Sequence, residues 1–328
     1  MHSTSGHLST ETIRHSGLEF RVTRFDEGIS NKPILVLLHG FLGSGEQFRH
    51  LMPELGKTCR PVTVDISPVK SPDSPPRLDS SERVDESAQL DATSQLDETS
   101  RLEASTQKDE TTRICSDSRL DTDSLVAGLR ETLGRIRAGS GSPLVLLGYS
   151  MGGRLALSLA TRHPESVDGL ILESTTAGIT DPEQRNERKA NDHRKAALIR
   201  QDFGKFLEDW DRNPLFKPTI SSKSQPEPLI RRIQRAQDPE IMAKWLEEFG
   251  TGVMPPVWDR LGRIRVPVLL ITGASDPKFC DISDRMKTQL ADARHVVIQG
   301  AAHRVHLDRP AEYTAALNDF LSKQIFTG

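Results

Sequence analysis

The chain has 328 residues, of which 35% are hydrophobic, and a formal net charge of -3. This length can supply one sizeable core with appendages, and the near-neutral charge gives no reason to expect nucleic acid or an anionic membrane surface as a partner. No apolar stretch reaches the length of a membrane span, and residues 1–17 lack the apolar centre of a signal peptide. The three cysteines (Cys59, Cys115 and Cys280) are isolated and odd in number, so we expect a reducing compartment and a cytoplasmic protein.

The first predicted elements alternate between strand and helix. Residues 18–24 have the pattern of a strand, and the apolar run PILVLLH at 33–39 is typical of a strand buried on both faces. Residues 48–55 then favour a helix, and RPVTVD at 60–65 favours another strand.

A six-residue repeat interrupts this pattern between residues 77 and 124. It contains hexads such as RLDSSE, QLDATS and RLDTDS, with about one apolar residue in each. One apolar residue per hexad cannot bury enough surface to offset the entropy of ordering the chain. A six-residue period also occurs in left-handed β-helices, which need more inward apolar residues and fewer acids. We therefore predict a disordered insert over 71–124, remote from catalysis, with its last hexads leading into a helix.

The strand and helix alternation resumes after the insert. Helices are predicted at 125–137, 154–163 and 311–323, and strands at 144–148, 167–173, 267–272 and 295–298. The segment between the predicted strands at 167–173 and 267–272 is polar and helical. The fold class is therefore α/β, an α/β-hydrolase fold with a mostly parallel sheet, helices on both faces and a helical cap. We expect core regions at 17–176 and 256–324 and the cap at 177–255.

The segment Gly148-Tyr149-Ser150-Met151-Gly152 is a G-x-S-x-G motif between a buried strand and a helix. This context is typical of a nucleophile elbow, a sharp turn that exposes the serine hydroxyl at the end of the strand. Small residues after the serine allow the helix to approach the strand. We therefore predict that Ser150 is the reactive residue.

A serine needs a base and an orienting acid, which follow it in chain order in elbow enzymes. Asp276 comes just after a late strand and His303 after the next one, so these two are the predicted partners. Glu173, at the end of the strand after the elbow, is an alternative acid. His306 is an alternative base, although packing beside the site suits it better. Asp276 could also be a turn residue before a proline.

An oxyanion site requires two converging backbone donors. The elbow supplies the N–H of Met151, and the loop at His39-Gly40-Phe41 can supply the N–H of Phe41. His39 is better interpreted as a structural member of that loop than as a base.

Arg154 lies four residues after Ser150, one turn into the elbow helix. A cation at this position suits a substrate carboxylate better than an apolar acyl chain. The alternative is a surface salt bridge. No metal cluster, phosphate loop or dinucleotide motif is found, so no cofactor is expected.

With these residues assigned, the chain resembles the α/β-hydrolase superfamily and, within it, the family of 2-succinyl-6-hydroxy-2,4-cyclohexadiene-1-carboxylate synthases of menaquinone biosynthesis. The resemblance covers about 18–70 and 125–323. Its motifs are LLHGFLGSGEQF, GYSMGGRLAL, LILESTTAGI, QRNERK, DWDRNPLF, GTG, GASDPKF and HRVH.

The resemblance implies elimination of pyruvate from an enolpyruvyl cyclohexene carboxylate, with serine as the base and no acyl-enzyme. It implies a triad of Ser150, Asp276 and His303, with Arg154 and Arg188 on substrate carboxylates. It also implies that Tyr149, Trp210 and Phe216 line the pocket. The expected partner is a small polycarboxylate rather than nucleic acid or membrane.

The chain departs from the family pattern near GTG, where an arginine is expected and Glu247 stands. An acid there would repel a carboxylate, so either Lys244 or Arg232 substitutes or the substrate preference differs.

Two other functions are considered. One is a serine hydrolase acting on an ester or carbon–carbon bond of an acidic metabolite. The other is a binding protein that uses the hexad array.

Overall fold

The structure is a computed structural model that describes residues 7–26, 31–69, 119–217 and 227–325. An eight-stranded sheet forms its centre. The strands are β1 His7–His15, β2 Leu18–Asp26, β3 Ile34–Leu38, β4 Arg60–Pro68, β5 Leu144–Tyr149, β6 Gly169–Glu173, β7 Val268–Gly273 and β8 Ala293–Ile298.

Their order across the sheet is β1-β2-β4-β3-β5-β6-β7-β8. Strands β1, β2 and β4 pair antiparallel, and every pair from β4 to β8 is parallel. All residues of β3, β5, β6 and β7 are buried. Helices cover both faces of these central strands, which is why their sequences are continuously apolar rather than alternating. The predicted mostly parallel α/β fold is confirmed.

The helices that surround the sheet begin and end at the following residues: α1 Met52–Leu55, α2 Thr122–Arg137, α3 Met151–Arg162, α4 Pro182–Gln201, α5 Phe203–Asp211, α6 Glu227–Arg235, α7 Pro239–Phe249, α8 Pro277–Lys287, α9 Val305–Asp308 and α10 Pro310–Phe320. Shorter 3-10 turns are Gly45–Leu51, Pro164–Ser166, Pro214–Phe216 and Trp258–Arg263, and a π turn spans Leu321–Ile325. No helix in the described ranges combines the length and hydropathy needed to cross a bilayer.

Helices α4 to α7 follow β6 and precede β7, so they fall within the segment predicted as a cap. Asp181 and Asp238 accept hydrogen bonds from backbone N–H groups in the first turns of α4 and α7, and a proline follows each of them. Helix α4 is mostly polar, with Asp192, Ala196 and Ile199 as its buried residues. It therefore packs through one narrow face and leaves the other in solvent.

One edge strand and two of the helical segments differ from the sequence prediction. Strand β1 was not predicted because its segment is polar, and within 8–15 Ile13 is the one side chain in the core. Pairing with β2 stabilises it instead. Helix α3 begins at Met151 rather than at Arg154, and residues 48–55 form a 3-10 turn followed by a single α turn.

Residues 70–118, which include most of the predicted insert, lie outside the described residues, so its disorder stays a prediction. The last hexad (119–124) is described, and it contributes Leu120 to the core. Leu120 is fully buried, and its N–H donates to Glu248 (2.6 Å). Asp121 caps α2 by accepting from the N–H of Ser124 (2.8 Å). The hexad pattern therefore continues into ordered structure before the helix begins.

Candidate active site

Ser150 joins β5 to α3 in a backbone conformation that non-glycine residues rarely adopt, with φ 51° and ψ −107°. Its N–H donates to the carbonyl of Glu173 (2.9 Å) in the neighbouring strand. The turn is tight because glycines surround it. A Cβ added to Gly148 would lie 2.5 Å from the Gly152 carbonyl oxygen, and one added to Gly152 would lie 2.6 Å from the carbonyl oxygens of Leu38 and His39. The glycines predicted to permit an elbow are needed for this close approach.

His303 lies between Ser150 and Asp276. Its Nδ1 is 2.7 Å from Asp276 Oδ2, and its Nε2 is 3.1 Å from Ser150 Oγ. The carboxylate holds the proton on Nδ1, which leaves Nε2 to accept a hydrogen bond from the serine hydroxyl. Asp276 also caps α8 by accepting from the N–H of Phe279, whose ring contacts His303 edge-on at 4.6 Å. The structure thus brings together the three predicted triad residues, which lie far apart in the sequence.

The alternative acid and alternative base form a second, fully buried pair. Glu173 is 2.8 Å from His306 Nδ1 and also accepts from the hydroxyl of Tyr313 (2.8 Å). With Nδ1 protonated, His306 Nε2 accepts from the amide of Gln47 (3.2 Å). Glu173 therefore engages His306 rather than His303. The ring of Tyr149 lies against both histidines, at 5.6 and 4.8 Å between centroids.

Phe41 and Met151, the predicted oxyanion donors, both line the cavity at Ser150. The Phe41 loop turns tightly, since the N–H of Gly43 donates to the carbonyl of Gly40 (3.1 Å). A Cβ on Gly40 would lie 2.6 Å from the Tyr149 ring, so glycine is required there. His39 is held by the Gly40 carbonyl (2.8 Å) in agreement with its interpretation as a structural residue.

Both predicted substrate arginines line this cavity. Arg154 is buried, donates to the carbonyl of Phe249 (2.7 Å) and stacks on that ring at 4.9 Å. Burial and then the proximity of Arg188 lower the pKa of Arg154 to about 9, while Asp192 acts in the opposite direction, so the guanidinium stays charged at neutral pH. Arg188 donates through Nε to both oxygens of Asp192 (2.9 Å). The two cations therefore approach each other at one side of the serine.

Glu247 does not line the cavity, so the repulsion expected from it does not arise. It accepts two hydrogen bonds from Arg200 (2.7 and 2.8 Å), which also pairs with Glu240. The proposed substitutes do not line the cavity either. Arg232 forms a surface ion pair, and Lys244 is absent from the described lining residues. The expected repulsion was wrong because the position of Glu247 in the sequence, just before GTG, does not show which face of α7 meets the cavity.

Three further cations that sequence reasoning missed line the cavity: Lys195, Lys278 and Arg304. A signal for each was available in the sequence. Lys195 follows Arg188 by seven residues and therefore shares its helix face, whereas Lys278 and Arg304 lie inside the GASDPKF and HRVH motifs. Ser174 was also missed. Its φ is 46°, and its buried hydroxyl has no partner among the described residues.

The predicted aromatic residues form one wall of the cavity. Trp210 contacts Phe216 (5.5 Å between centroids) and Phe41 (5.4 Å), and Phe216 reaches His303 (5.9 Å). The guanidinium of Arg304 stacks on Phe216 at 4.0 Å. Phe216 thus lies against the imidazole, which is almost fully buried. Among the described residues, no group of three or more His, Cys, Asp or Glu side chains is placed to hold a metal ion.

Comparison with known proteins agrees with this geometry. A family model described as the alpha/beta hydrolase fold matches residues 33–310. A Bacillus subtilis (strain 168) relative, provisionally named a 2-succinyl-6-hydroxy-2,4-cyclohexadiene-1-carboxylate synthase, is 36% identical over 301 residues, or 90% of this chain and 93% of that protein. A Pectobacterium atrosepticum protein with the same synthase name is 34% identical over 182 residues, or 55% of this chain and 69% of that one. The structure of MenH from S. aureus superposes with a TM-score of 0.73 at 24% identity, covering 95% of this chain and 99% of that one, which is a likeness of fold.

Proposed function

Because this chain belongs to the α/β-hydrolase family and, within it, to the 2-succinyl-6-hydroxy-2,4-cyclohexadiene-1-carboxylate synthases, we propose that it is a carbon–oxygen lyase of menaquinone biosynthesis. Its substrate is 2-succinyl-5-enolpyruvyl-6-hydroxy-3-cyclohexene-1-carboxylate, from which it eliminates pyruvate. Cytoplasmic action is part of the proposal. The free thiols of Cys59 and Cys280 are compatible with the reducing conditions there.

One observation carries the choice of substrate class. Five cationic side chains line the cavity at Ser150, and no carboxylate does so among the described lining residues. The protein as a whole is slightly acidic, with a net charge of -3, so this concentration of positive charge is local. A cavity of this kind favours a substrate with several carboxylates over a neutral ester.

The triad supplies a base rather than a required nucleophile in this proposal. His303 takes the proton of Ser150, and the serine oxygen removes the ring proton next to the succinyl ketone. The electron pair moves through the ring double bond and breaks the bond to the enolpyruvyl oxygen. The imidazolium returns a proton to the departing enolpyruvate, which becomes pyruvate. Asp276 stabilises the imidazolium during this cycle.

The enolate oxygen that forms on the succinyl ketone needs donors. The backbone N–H groups of Phe41 and Met151 are the proposed pair, supported by their positions beside Ser150 in the cavity lining. Arg154 and Arg188 are proposed to hold substrate carboxylates, since planar guanidinium groups pair with them through two hydrogen bonds.

The proposal is tested by measuring pyruvate release from the enolpyruvyl substrate with wild-type protein, Ser150→Ala and Arg154→Gln. We expect Ser150→Ala to lower kcat by about 10²- to 10⁴-fold, the usual contribution of a positioned base. Arg154→Gln should mainly raise KM. The matched control is Ser158→Ala, which removes a buried hydroxyl from the same helix outside the cavity and should leave both constants unchanged.

The hydrolase alternative predicts a different outcome. Wild-type protein that leaves the enolpyruvyl substrate intact but cleaves simple esters rapidly, with an acyl group on Ser150 in rapid-quench mass spectra, would overturn the proposed lyase.

A further inference from the structure

We propose that Lys195 and Lys278 form a second anion subsite at the cavity mouth, which holds the carboxylate of the departing enolpyruvyl group. This inference rests on the proposed function and adds to it a recognition site for the leaving group. Neither lysine belongs to the arginine pair beside Ser150.

The two ammonium groups flank the aromatic residues around the catalytic imidazole. Lys195 Nζ lies over the Trp210 ring, at 5.6 Å from its centroid, and Lys278 Nζ lies 5.8 Å from the centroid of Phe279. Phe279 itself contacts His303 at 4.6 Å. A carboxylate between these lysines would therefore lie on the His303 side of the cavity, where the departing oxygen must receive its proton.

Lys195 has no salt-bridge partner among the described residues, although it is half-buried. Burial, and to a smaller extent Arg188, lowers the pKa of Lys195, whereas Asp192 acts against this change. Asp192 is already engaged by Arg188. The buried indole N–H of Trp210 also lacks a partner among the described residues. This wall of the cavity thus offers a cation and an N–H donor that an anionic ligand could engage.

The positions of the cations indicate which of them bind the enolpyruvyl carboxylate. Arg154 is buried on the elbow helix, and its positive charge lies close to that of Arg188. Lys278 is exposed at the mouth. Arg304 also lines the cavity, but it is stacked on Phe216. The group that leaves must pass the mouth, and flexible lysines can hold a carboxylate there without the two fixed hydrogen bonds of an arginine.

The test compares Lys195→Gln and Lys278→Gln with control variants that make the same charge change on the same helices. Lys189→Gln in α4 and Lys287→Gln in α8 are suitable, since both side chains are exposed and outside the cavity lining. The measurements are pyruvate release, product inhibition by pyruvate and by the ring product, and equilibrium dialysis with labelled pyruvate.

We expect each cavity lysine variant to raise KM and the pyruvate inhibition constant by about 10-fold, the size of one charge-assisted hydrogen bond. Inhibition by the ring product, which lacks the enolpyruvyl arm, should stay unchanged, and kcat should change little. The controls should match wild type. Melting temperature should not fall in Lys195→Gln, because burial already disfavours the ammonium group, whereas loss of a merely structural contact would lower it.

Two results would overturn the subsite: unchanged pyruvate binding in both lysine variants, or weaker binding of the ring product instead. Failure of the proposed function is seen separately, as absence of pyruvate release by wild type. If wild type releases no pyruvate, dialysis with labelled pyruvate still shows whether the subsite exists, because a binding measurement needs no turnover.

Discussion

Two buried carboxylates, Asp276 and Glu173, each hold a histidine near Ser150. The histidines are three residues apart in the chain, and both face the Tyr149 ring. Sequence order favoured Asp276 and His303 but could not exclude the other pairing, because both acids follow strands of the same sheet. The structure separates them by contact. The histidine paired with Asp276 is hydrogen-bonded to the serine. The histidine paired with Glu173 is hydrogen-bonded to Gln47, and Glu173 itself also accepts from Tyr313.

This arrangement predicts different consequences for two isosteric changes. Asp276→Asn should lower kcat by about 10²- to 10⁴-fold, because the histidine loses its orienting acceptor and the stabiliser of its charged form. Glu173→Gln should mainly cost stability, on the order of 3 kcal/mol, since it removes a fully buried carboxylate that accepts hydrogen bonds from both His306 and Tyr313.

Urea unfolding and kcat per folded molecule measure the two effects. Loss of turnover in Glu173→Gln at unchanged stability would move the role of acid to Glu173.

At the scale of elements, close packing of the elbow helix α3 against β3 and β5 positions the serine. Gly152 meets the backbone carbonyls at the end of β3 and the start of the loop that supplies Phe41. The pattern of small residues predicted this approach. It did not predict β1, since polar side chains in an edge strand give no apolar period and the stabilising pairing lies in β2.

Two glycine-to-alanine changes test the close packing. Gly152→Ala should destabilise the protein by about 1–3 kcal/mol and reduce activity, because its Cβ would lie 2.6 Å from two backbone oxygens. Gly134→Ala in α2 is the matched control. No atom lies within 4 Å of its added Cβ, and an exposed helical alanine should stabilise by about 0.5–1 kcal/mol relative to glycine. Equal stabilities of the two variants in thermal unfolding would contradict the packing argument.

The whole molecule combines a slightly acidic chain with a cavity that concentrates positive charge. The five cations come from the elbow helix, from α4, and from the segments that follow β7 and β8. Only folding to a common centre places them together. Under the proposed function, their combined field attracts the polycarboxylate substrate toward the serine.

Such a field predicts that kcat/KM for the enolpyruvyl substrate falls as salt rises, since the Debye length shortens from about 30 Å at 0.01 M to about 3 Å at 1 M. Steady-state kinetics in increasing sodium chloride measure the slope, which should be shallower in Arg154→Gln. A slope of zero for wild type would show that the cavity charge does not assist binding.

The sequence by itself determined the α/β class, the elbow at Ser150 and the family, because these depend on local runs: a buried strand, small residues at a tight turn and motifs of a few residues. It also indicated Arg154, which is one helical turn from the serine. Only the tertiary structure decided which carboxylate meets which histidine, that Glu247 faces away from the cavity, and that Lys195 and Lys278 face into it. These outcomes depend on how separate helices are rotated and packed against one sheet, and residue order alone does not fix that geometry.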